Sequence, residues 1–94
     1  MDKVDFVWDE KKNKANQKKH HVSFEEAQSA FHDEKAFVYF DPDHSDDEDR
    51  FILLGTSFKL RMLVVCHCYR ENGHVIRIIS ARKADIQEQE NYWR

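Results

Sequence analysis

Four apolar segments follow one another along the chain after residue 35, and short turns or loops separate them. They cover residues 36–40, 51–57, 61–69 and 75–82 and are rich in β-branched and aromatic side chains, the composition typical of strands. Because the connecting loops are too short to hold a crossover helix, neighbouring strands have to run antiparallel. These segments therefore predict a largely antiparallel sheet, which leaves the rest of the chain to cover its faces.

Two helical segments precede these strands and a third follows them. Residues 10–20 have high helix propensity after Asp9, whose carboxylate suits an N-cap, and nearly all of them are polar. Ser23 and Glu26 have the spacing of a capping box, which begins a second helix with the apolar face Phe24, Ala27, Ala30 and Phe31. A short apolar segment at residues 6–8 adds a strand. The order β-α-α-β-β-β-β-α predicts an α+β fold: a four- to five-stranded sheet, two N-terminal helices packed on one face, and a C-terminal helix.

The turn between the last two strands decides which side chains share a face of the sheet. Residues 71–73, Glu-Asn-Gly, suit a three-residue loop that ends on a left-handed glycine, and this loop pairs His67 with Arg77. His67, Arg77, Arg61 and Tyr69 then share the exposed face. The opposite face is wholly apolar and should lie under the helices; it carries Val64, Cys66, Cys68, Ile76 and Ile78. A two-residue Asn-Gly turn would put His67 and Arg77 on opposite faces, and the longer loop is favoured because it buries no charge.

Charge is unevenly distributed along the chain. The formal net charge is −3, from 15 Lys and Arg against 18 Asp and Glu, which by itself argues mildly against nucleic-acid binding. However, residues 22–50 hold ten acidic side chains and only two basic ones, and residues 41–49 have the composition of a solvated acidic loop. The rest of the chain is basic, so the net charge does not exclude an anion-binding face.

Length and hydropathy bound the class of protein. With 94 residues, the chain is expected to form a single domain over residues 1–94 with one modest core. No apolar run approaches the roughly 18 residues of a membrane helix, and the first residues lack the apolar stretch of a signal peptide. The expected location is the cytoplasm, with no membrane partner.

One group of polar side chains on the predicted exposed sheet face has the composition of a catalytic site. It consists of His67, Tyr69, Arg61 and Arg77, with Arg82 at the strand end. A histidine that titrates near neutral pH beside arginines suits acid–base chemistry on a phosphodiester, whose oxygens match guanidinium groups. The alternative interpretation is that these arginines only keep a solvated sheet face soluble.

A second group lies on the first helix, where Lys12, Asn16 and Lys19 share one stripe and His20 lies beside it. Such a stripe suits contacts to a nucleic-acid backbone, and an ordinary exposed, lysine-rich helix is the alternative. Residues 66–68, Cys-His-Cys, have no second cysteine pair at zinc-ligand spacing. The two cysteines are therefore predicted to be buried, reduced thiols, and no metal site is expected.

Three blocks of the chain resemble the signature of the BrnT toxin family. The opening block is Phe6-x-Trp8-Asp9-x-x-Lys12-Asn13-x-x-Asn16-x-x-Lys19-His20-x-Val22-Ser23-Phe24-Glu25-Glu26-Ala27. The middle block is Asp41-Pro42-Asp43-His44-Ser45, then Glu48-x-Arg50, and the closing block is Arg77-Ile78-Ile79-Ser80-Ala81-Arg82-Lys83-Ala84, followed by a terminal Glu and Tyr92. The blocks occur in order over residues 6–92. One departure is His21, where the family commonly has glycine, and it concerns the link between the two helices.

The resemblance implies a RelE-like fold and a ribonuclease toxin that inhibits translation, the toxic half of a type II toxin–antitoxin pair. It implies a BrnA-like antitoxin with a ribbon-helix-helix domain as the partner. The substrate would be RNA, and operator DNA would be contacted only through the antitoxin. No cofactor is implied.

With this resemblance, the expected reaction is metal-independent RNA cleavage, in which the 2′-hydroxyl attacks the adjacent phosphate. The expected catalytic residues are His67 as acid or base, Arg77 and Arg82 as phosphate stabilisers, and Lys12, Lys19 and His20 in support. The expected substrate-binding residues are Arg61, Tyr69, Asn16 and Tyr92. The alternative is a non-catalytic RNA- or protein-binding module that uses the same basic face.

Overall fold

The computed structural model describes residues 3–44 and 48–94, and its elements follow the predicted order β-α-α-β-β-β-β-α. The elements are β1 (Asp5–Val7), α1 (Glu10–His20), α2 (Phe24–Ala30), β2 (Phe37–Asp41), β3 (Arg50–Thr56), β4 (Met62–Arg70), β5 (Val75–Lys83) and α3 (Ile86–Tyr92). Residues 45–47 of the predicted acidic loop lie outside the described residues. Within the described part of the chain, no helix has the length and hydropathy needed to span a membrane.

The five strands form one mixed sheet in the order β1-β5-β4-β3-β2. The three pairings between consecutive strands from β2 to β5 are antiparallel, as their short connections predict. However, β1 pairs parallel with β5, with Phe6 opposite Ile76. The sheet is therefore not purely antiparallel. Since two helices and three strands separate β1 from β5 along the chain, no hairpin constrains the direction of β1.

The two faces of the sheet are covered to different extents. On the first, which we call the helix face, α2 packs its apolar side against the strands and buries Phe24, Ala27, Ala30, Leu53, Leu63, Val65, Ile78 and Ala81. The second, the open face, is covered at one end by α3, where Tyr92 packs with Leu54, Val64 and Ala84. Beyond that end, the open face is not covered by a helix of the described chain.

The predicted register of β4 and β5 is wrong: the side chains of β4 lie on the faces opposite to those predicted, whereas Ile76 and Ile78 of β5 lie on the helix face as predicted. Arg70 is opposite Val75, so four residues and not three connect the strands, and Glu71, Asn72 and Gly73 all have positive φ. Cys66 is opposite Ser80 and His67 is opposite Ile78, which leaves Ile79 as the extra residue of a β-bulge. A one-residue slip exchanges the faces of a strand.

As a result, Leu63, Val65 and His67 lie on the helix face, whereas Val64, Cys66 and Cys68 lie on the open face. His67 and Arg77 therefore lie on opposite faces. This is the arrangement that a two-residue Asn-Gly turn would have given, although the actual connection has four residues.

The polar helix α1 is held in place by two buried asparagines in place of an apolar face. Asn13 accepts a hydrogen bond from the backbone N–H of Phe24 (2.9 Å), at the beginning of α2. Asn16 donates to the carbonyl of Ala81 (2.8 Å) and accepts from its N–H (3.1 Å). The Asn16 amide thus completes the edge of β5 as a neighbouring strand would, and it fixes α1 along that edge.

Candidate functional site

The open face contains a cavity of about 510 Å³ on the part that α3 does not cover. Its wall is formed by residues at the end of α1 and on four strands: His20, Tyr39, Asp41, Arg50, Ile52, Val64, Cys66, Ser80, Ala81 and Arg82. Apolar groups are mixed with two guanidinium groups, one imidazole and several hydroxyl or carboxylate groups. We call this feature the open-face cavity.

Strand register explains why these residues meet. Tyr39, Ile52, Cys66 and Ser80 are successive cross-strand partners from β2 to β5 and form one row across the open face. A second row consists of Phe37, Leu54, Val64 and Arg82. Arg50 is opposite Asp41 at the next position on the same face. Since side chains of one face recur at every second residue, the alternating residues of these rows lie on one surface.

His20 enters the cavity wall from α1. Asn16 fixes this helix to Ala81 of β5, and His20 follows Asn16 by four residues, about one helical turn. The imidazole is therefore placed beside the β5 end of both rows. An imidazole can accept a proton at one ring nitrogen and donate one from the other, so His20 is the acid–base candidate of the cavity.

Arg82 is held by Glu88 of α3 in a two-point ion pair, with Nη1 to Oε1 at 2.8 Å and Nη2 to Oε2 at 2.7 Å. Glu88 also accepts the backbone N–H of Asp85 (2.8 Å) as part of the capping box of α3. The hydrogen bonds with Glu88 raise the pKa of Arg82, and those with Arg82 lower the pKa of Glu88. The guanidinium is thus charged and fixed in orientation, although the carboxylate offsets part of its field.

The thiol of Cys66 and the hydroxyl of Tyr39, both in the cavity wall, favour their neutral forms. Burial raises the pKa of the Cys66 thiol, which argues against a nucleophilic thiolate. Burial and the nearby Glu88 carboxylate raise the pKa of Tyr39. Both groups are therefore hydrogen-bond donors at neutral pH. Among residues 3–44 and 48–94, no three His, Cys, Asp or Glu side chains form a cluster of the kind that holds a metal ion.

Of the predicted site residues, the structure brings His20 and Arg82 together in this cavity. The predicted exposure of His67 is wrong: the residue is 0% exposed and lies on the helix face. Its ring packs against Phe31 (centroids 4.9 Å apart), Nδ1 lies 3.1 Å from the carbonyl of Val65, and Nε2 lies 3.1 Å from the Tyr69 hydroxyl. Burial lowers the pKa of His67 and favours the neutral ring.

Arg61 and Tyr92 are also engaged away from the cavity. Arg61 donates from Nε to the buried Glu26 carboxylate (2.9 Å) and forms an ion pair with it. The Tyr92 hydroxyl donates to the Asp33 carboxylate, and its ring is buried where α3 packs on the sheet, beside Leu54 and Val64. Both contacts join separate elements of the fold, so the described geometry gives these two residues a structural role.

The other predicted residues lie at varying distances from the cavity. Asn16 is buried at the edge of β5, and Tyr69 is exposed but bonded to His67 on the helix face. Arg77 lies half-buried on the open face opposite Cys68, outside the cavity wall. Lys12 and Lys19 are exposed on α1.

Sequence reasoning missed Tyr39, Arg50, Cys66 and Ser80 as members of one site. A signal for Arg50 and Ser80 was present, because both belong to the blocks that carry the resemblance. Tyr39 and Cys66 had no such signal, since only the true register shows that they share a face with Arg82.

Comparisons with known proteins agree on one family. The family model described as "Ribonuclease toxin, BrnT, of type II toxin-antitoxin system" matches residues 8–88. Among solved structures, the 1.1 Å crystal structure of the Brucella abortus ribonuclease toxin, BrnT, is similar, with a TM-score of 0.66 and 21% sequence identity. The similarity covers 87% of this chain and 97% of that one, and at this identity it shows a shared fold. No curated protein sequence matches the chain.

Proposed function

The chain belongs to the BrnT family of ribonuclease toxins of type II toxin–antitoxin systems, and from this premise we propose that it cleaves RNA at the open-face cavity. The proposal rests on one observation: His20, Arg50 and Arg82 line the same accessible cavity. An imidazole beside two guanidinium groups provides proton exchange and anion stabilisation, the two requirements for cleaving a phosphodiester without a bound metal.

In the proposed reaction, the RNA 2′-hydroxyl attacks the neighbouring phosphorus. The O2′–P bond forms, the P–O5′ bond breaks, and the products end in a 2′,3′-cyclic phosphate and a 5′-hydroxyl. His20 removes the proton of the 2′-hydroxyl or supplies the proton of the leaving 5′-oxygen, and solvent exchanges the other proton. Arg50 and Arg82 stabilise the additional negative charge of the pentacovalent phosphorane.

Cations outside the cavity extend the RNA contact. Lys12 and Lys19 are exposed on the helix that ends at His20, and Arg77 lies on the same sheet face as Arg82. We assign these three residues to the RNA backbone and not to the reacting phosphate, because they do not line the cavity. Neutralising one of them should weaken RNA binding without a specific loss of the chemical step.

The proposal includes the finer features that the family resemblance implies. The chain acts as one RelE-like toxin domain in the cytoplasm and needs no divalent metal. A BrnA-like ribbon-helix-helix antitoxin neutralises it, and operator DNA is reached through that antitoxin.

The test uses purified protein and RNA in the presence of EDTA. We expect cleavage to persist, with cyclic phosphate ends, and Arg50→Gln to reduce the rate about 10²- to 10³-fold through loss of charge stabilisation. Arg70→Gln is the matched control, since Arg70 is an exposed arginine that pairs with Glu48 outside the cavity. Wild-type cleavage by Arg50→Gln would contradict the site assignment. Cleavage lost only with EDTA would contradict the metal-independent mechanism, and intact RNA with a mobility shift would indicate the non-catalytic binder.

A further inference from the structure

Two aromatic rings beside the open-face cavity are exposed on the edge strand β2. Phe37 is 38% exposed and Tyr39 is 44% exposed, and their ring centroids are 6.2 Å apart with planes inclined at 35°. Exposed aromatic rings are surfaces on which the bases of single-stranded nucleic acids stack.

The rings share the open face with the groups assigned to the phosphate. Tyr39 begins the row that ends at Ser80, and Phe37 begins the row that ends at Arg82. Tyr39 itself forms part of the cavity wall, and the charges of Arg82 and Glu88 act on its hydroxyl. A nucleotide whose phosphate lies at the arginines therefore has a ring surface within the same cavity.

Cations and a further aromatic ring continue the surface beyond Phe37. Phe37 borders a second hollow of about 370 Å³ that is also lined by Lys35, Trp93 and Arg94. Trp93 is 66% exposed, and the ammonium group of Lys35 lies 5.3 Å from the centroid of its ring. The surface thus alternates rings and positive charges, which suits a chain of bases and phosphates better than an apolar protein segment.

We propose that Tyr39 and Phe37 form a stacking platform that binds unpaired bases of single-stranded RNA next to the reacting phosphate. The proposal rests on the proposed function of the open-face cavity and adds its substrate class. Aromatic side chains on an open sheet face bind bases only when those bases are splayed out of a duplex. The 6.2 Å ring spacing exceeds the roughly 3.4 Å rise of a stacked strand, so RNA that contacts both rings is extended.

The test measures binding of a 2′-O-methyl oligonucleotide, which cannot undergo the proposed attack and so separates binding from cleavage. A 2-aminopurine base in the oligonucleotide reports stacking by fluorescence quenching. We expect Tyr39→Leu and Phe37→Leu each to weaken binding of the single strand about 10- to 100-fold and to reduce the quenching. We expect Tyr39→Phe to retain most of the binding, because it keeps the ring.

The matched control is Phe40→Leu, since Phe40 is similarly exposed on the same strand but faces the other side of the sheet, against Phe51. This variant should bind as wild type does, and a duplex of the same sequence should bind weakly to every variant. If a leucine variant fails to fold, the quenching by wild type and by Tyr39→Phe, compared between single strand and duplex, still tests the platform.

Several outcomes would overturn the platform. Wild-type binding by the folded leucine variants, or equal binding of single strand and duplex, would contradict it. Leucine variants that bind RNA normally but lose association with an antitoxin or a second copy would assign the strand to a protein partner. A chain that binds through Tyr39 but never cleaves natural RNA would instead refute the nuclease proposal alone.

Discussion

The helix face and the open face of the sheet contain the same kinds of polar group in opposite surroundings. Each face has an arginine–carboxylate pair, a histidine and a tyrosine. On the helix face, Arg61 pairs with the buried Glu26, and His67 bonds to Tyr69 beneath aromatic rings. On the open face, Arg82 pairs with Glu88 at the border of a cavity that His20 and Tyr39 also line.

The difference between the faces shows that residue type alone does not identify a functional site. The contacts of Arg61 and His67 join α2, β4 and the loops between elements, and neither residue lines the open-face cavity. The contacts of Arg82 fix its guanidinium but leave part of it exposed. Accessibility and the convergence of cations, not the presence of His and Arg, separate the proposed active site from the structural network.

Substitutions of Glu26 and Glu88, the carboxylates that pair with Arg61 and Arg82, should affect different properties: mainly stability for Glu26 and mainly activity for Glu88. Glu26→Gln should lower the free energy of unfolding by about 3 kcal/mol, because it removes the charged partner of Arg61 from a buried site. Glu88→Gln should cost about 1 kcal/mol through a weakened α3 cap. The same Glu88 variant should cleave RNA about 10- to 100-fold more slowly, because the Arg82 guanidinium loses its fixed orientation.

Urea denaturation and single-turnover cleavage of both variants check this contrast. Under conditions where it is folded, Glu26→Gln should cleave RNA at close to the wild-type rate. A Glu88→Gln variant with full activity would show that the Arg82–Glu88 pair is as purely structural as the Arg61–Glu26 pair.

Because His67 is buried, we expect the free energy of unfolding to depend on pH. Burial lowers the pKa of folded His67 below the ordinary 6.5, so the unfolded chain binds a proton that the folded chain excludes. The stabilisation by the neutral ring is present above pH 6.5 and is lost as the pH falls towards the folded pKa. In that window, this group lowers stability by at most about 1.4 kcal/mol per pH unit.

The measurement is the free energy of unfolding of wild type and His67→Phe between pH 7.5 and pH 5. We expect the free energy of unfolding of His67→Phe to fall less steeply with decreasing pH than that of wild type. The reason is that phenylalanine packs among the same rings without a titrating group. Equal slopes in the two proteins would contradict the assignment of a neutral, buried His67.

The elements of this fold were predictable from local sequence, whereas the face of each strand was not. Asp9 caps α1, and Ser23 caps α2 through its bond to the Glu26 N–H, as their spacing predicts. The Glu26 side chain does not complete the predicted capping box, because it bonds to Ser57 and Arg61. Tertiary contacts of this kind are not encoded in local spacing.

The predicted register failed for a related reason. Both faces of β4 are apolar over much of their length, since Leu63 and Val65 alternate with Val64, so alternation does not show which side the helices cover. The turn at residues 71–74 uses one residue more than predicted, and the bulge at Ile79 shifts the register again. The sequence therefore predicted His20 and Arg82 as site residues but placed His67 on the wrong face.

The most direct test of the central claim compares two histidines on opposite faces of the sheet. Single-turnover RNA cleavage should be measured for His20→Gln and His67→Phe at a temperature where both are folded. We predict that His20→Gln lowers the rate about 10²- to 10⁴-fold and that His67→Phe remains close to wild type. A large loss in folded His67→Phe together with wild-type cleavage by His20→Gln would contradict the assignment of the open-face cavity as the active site.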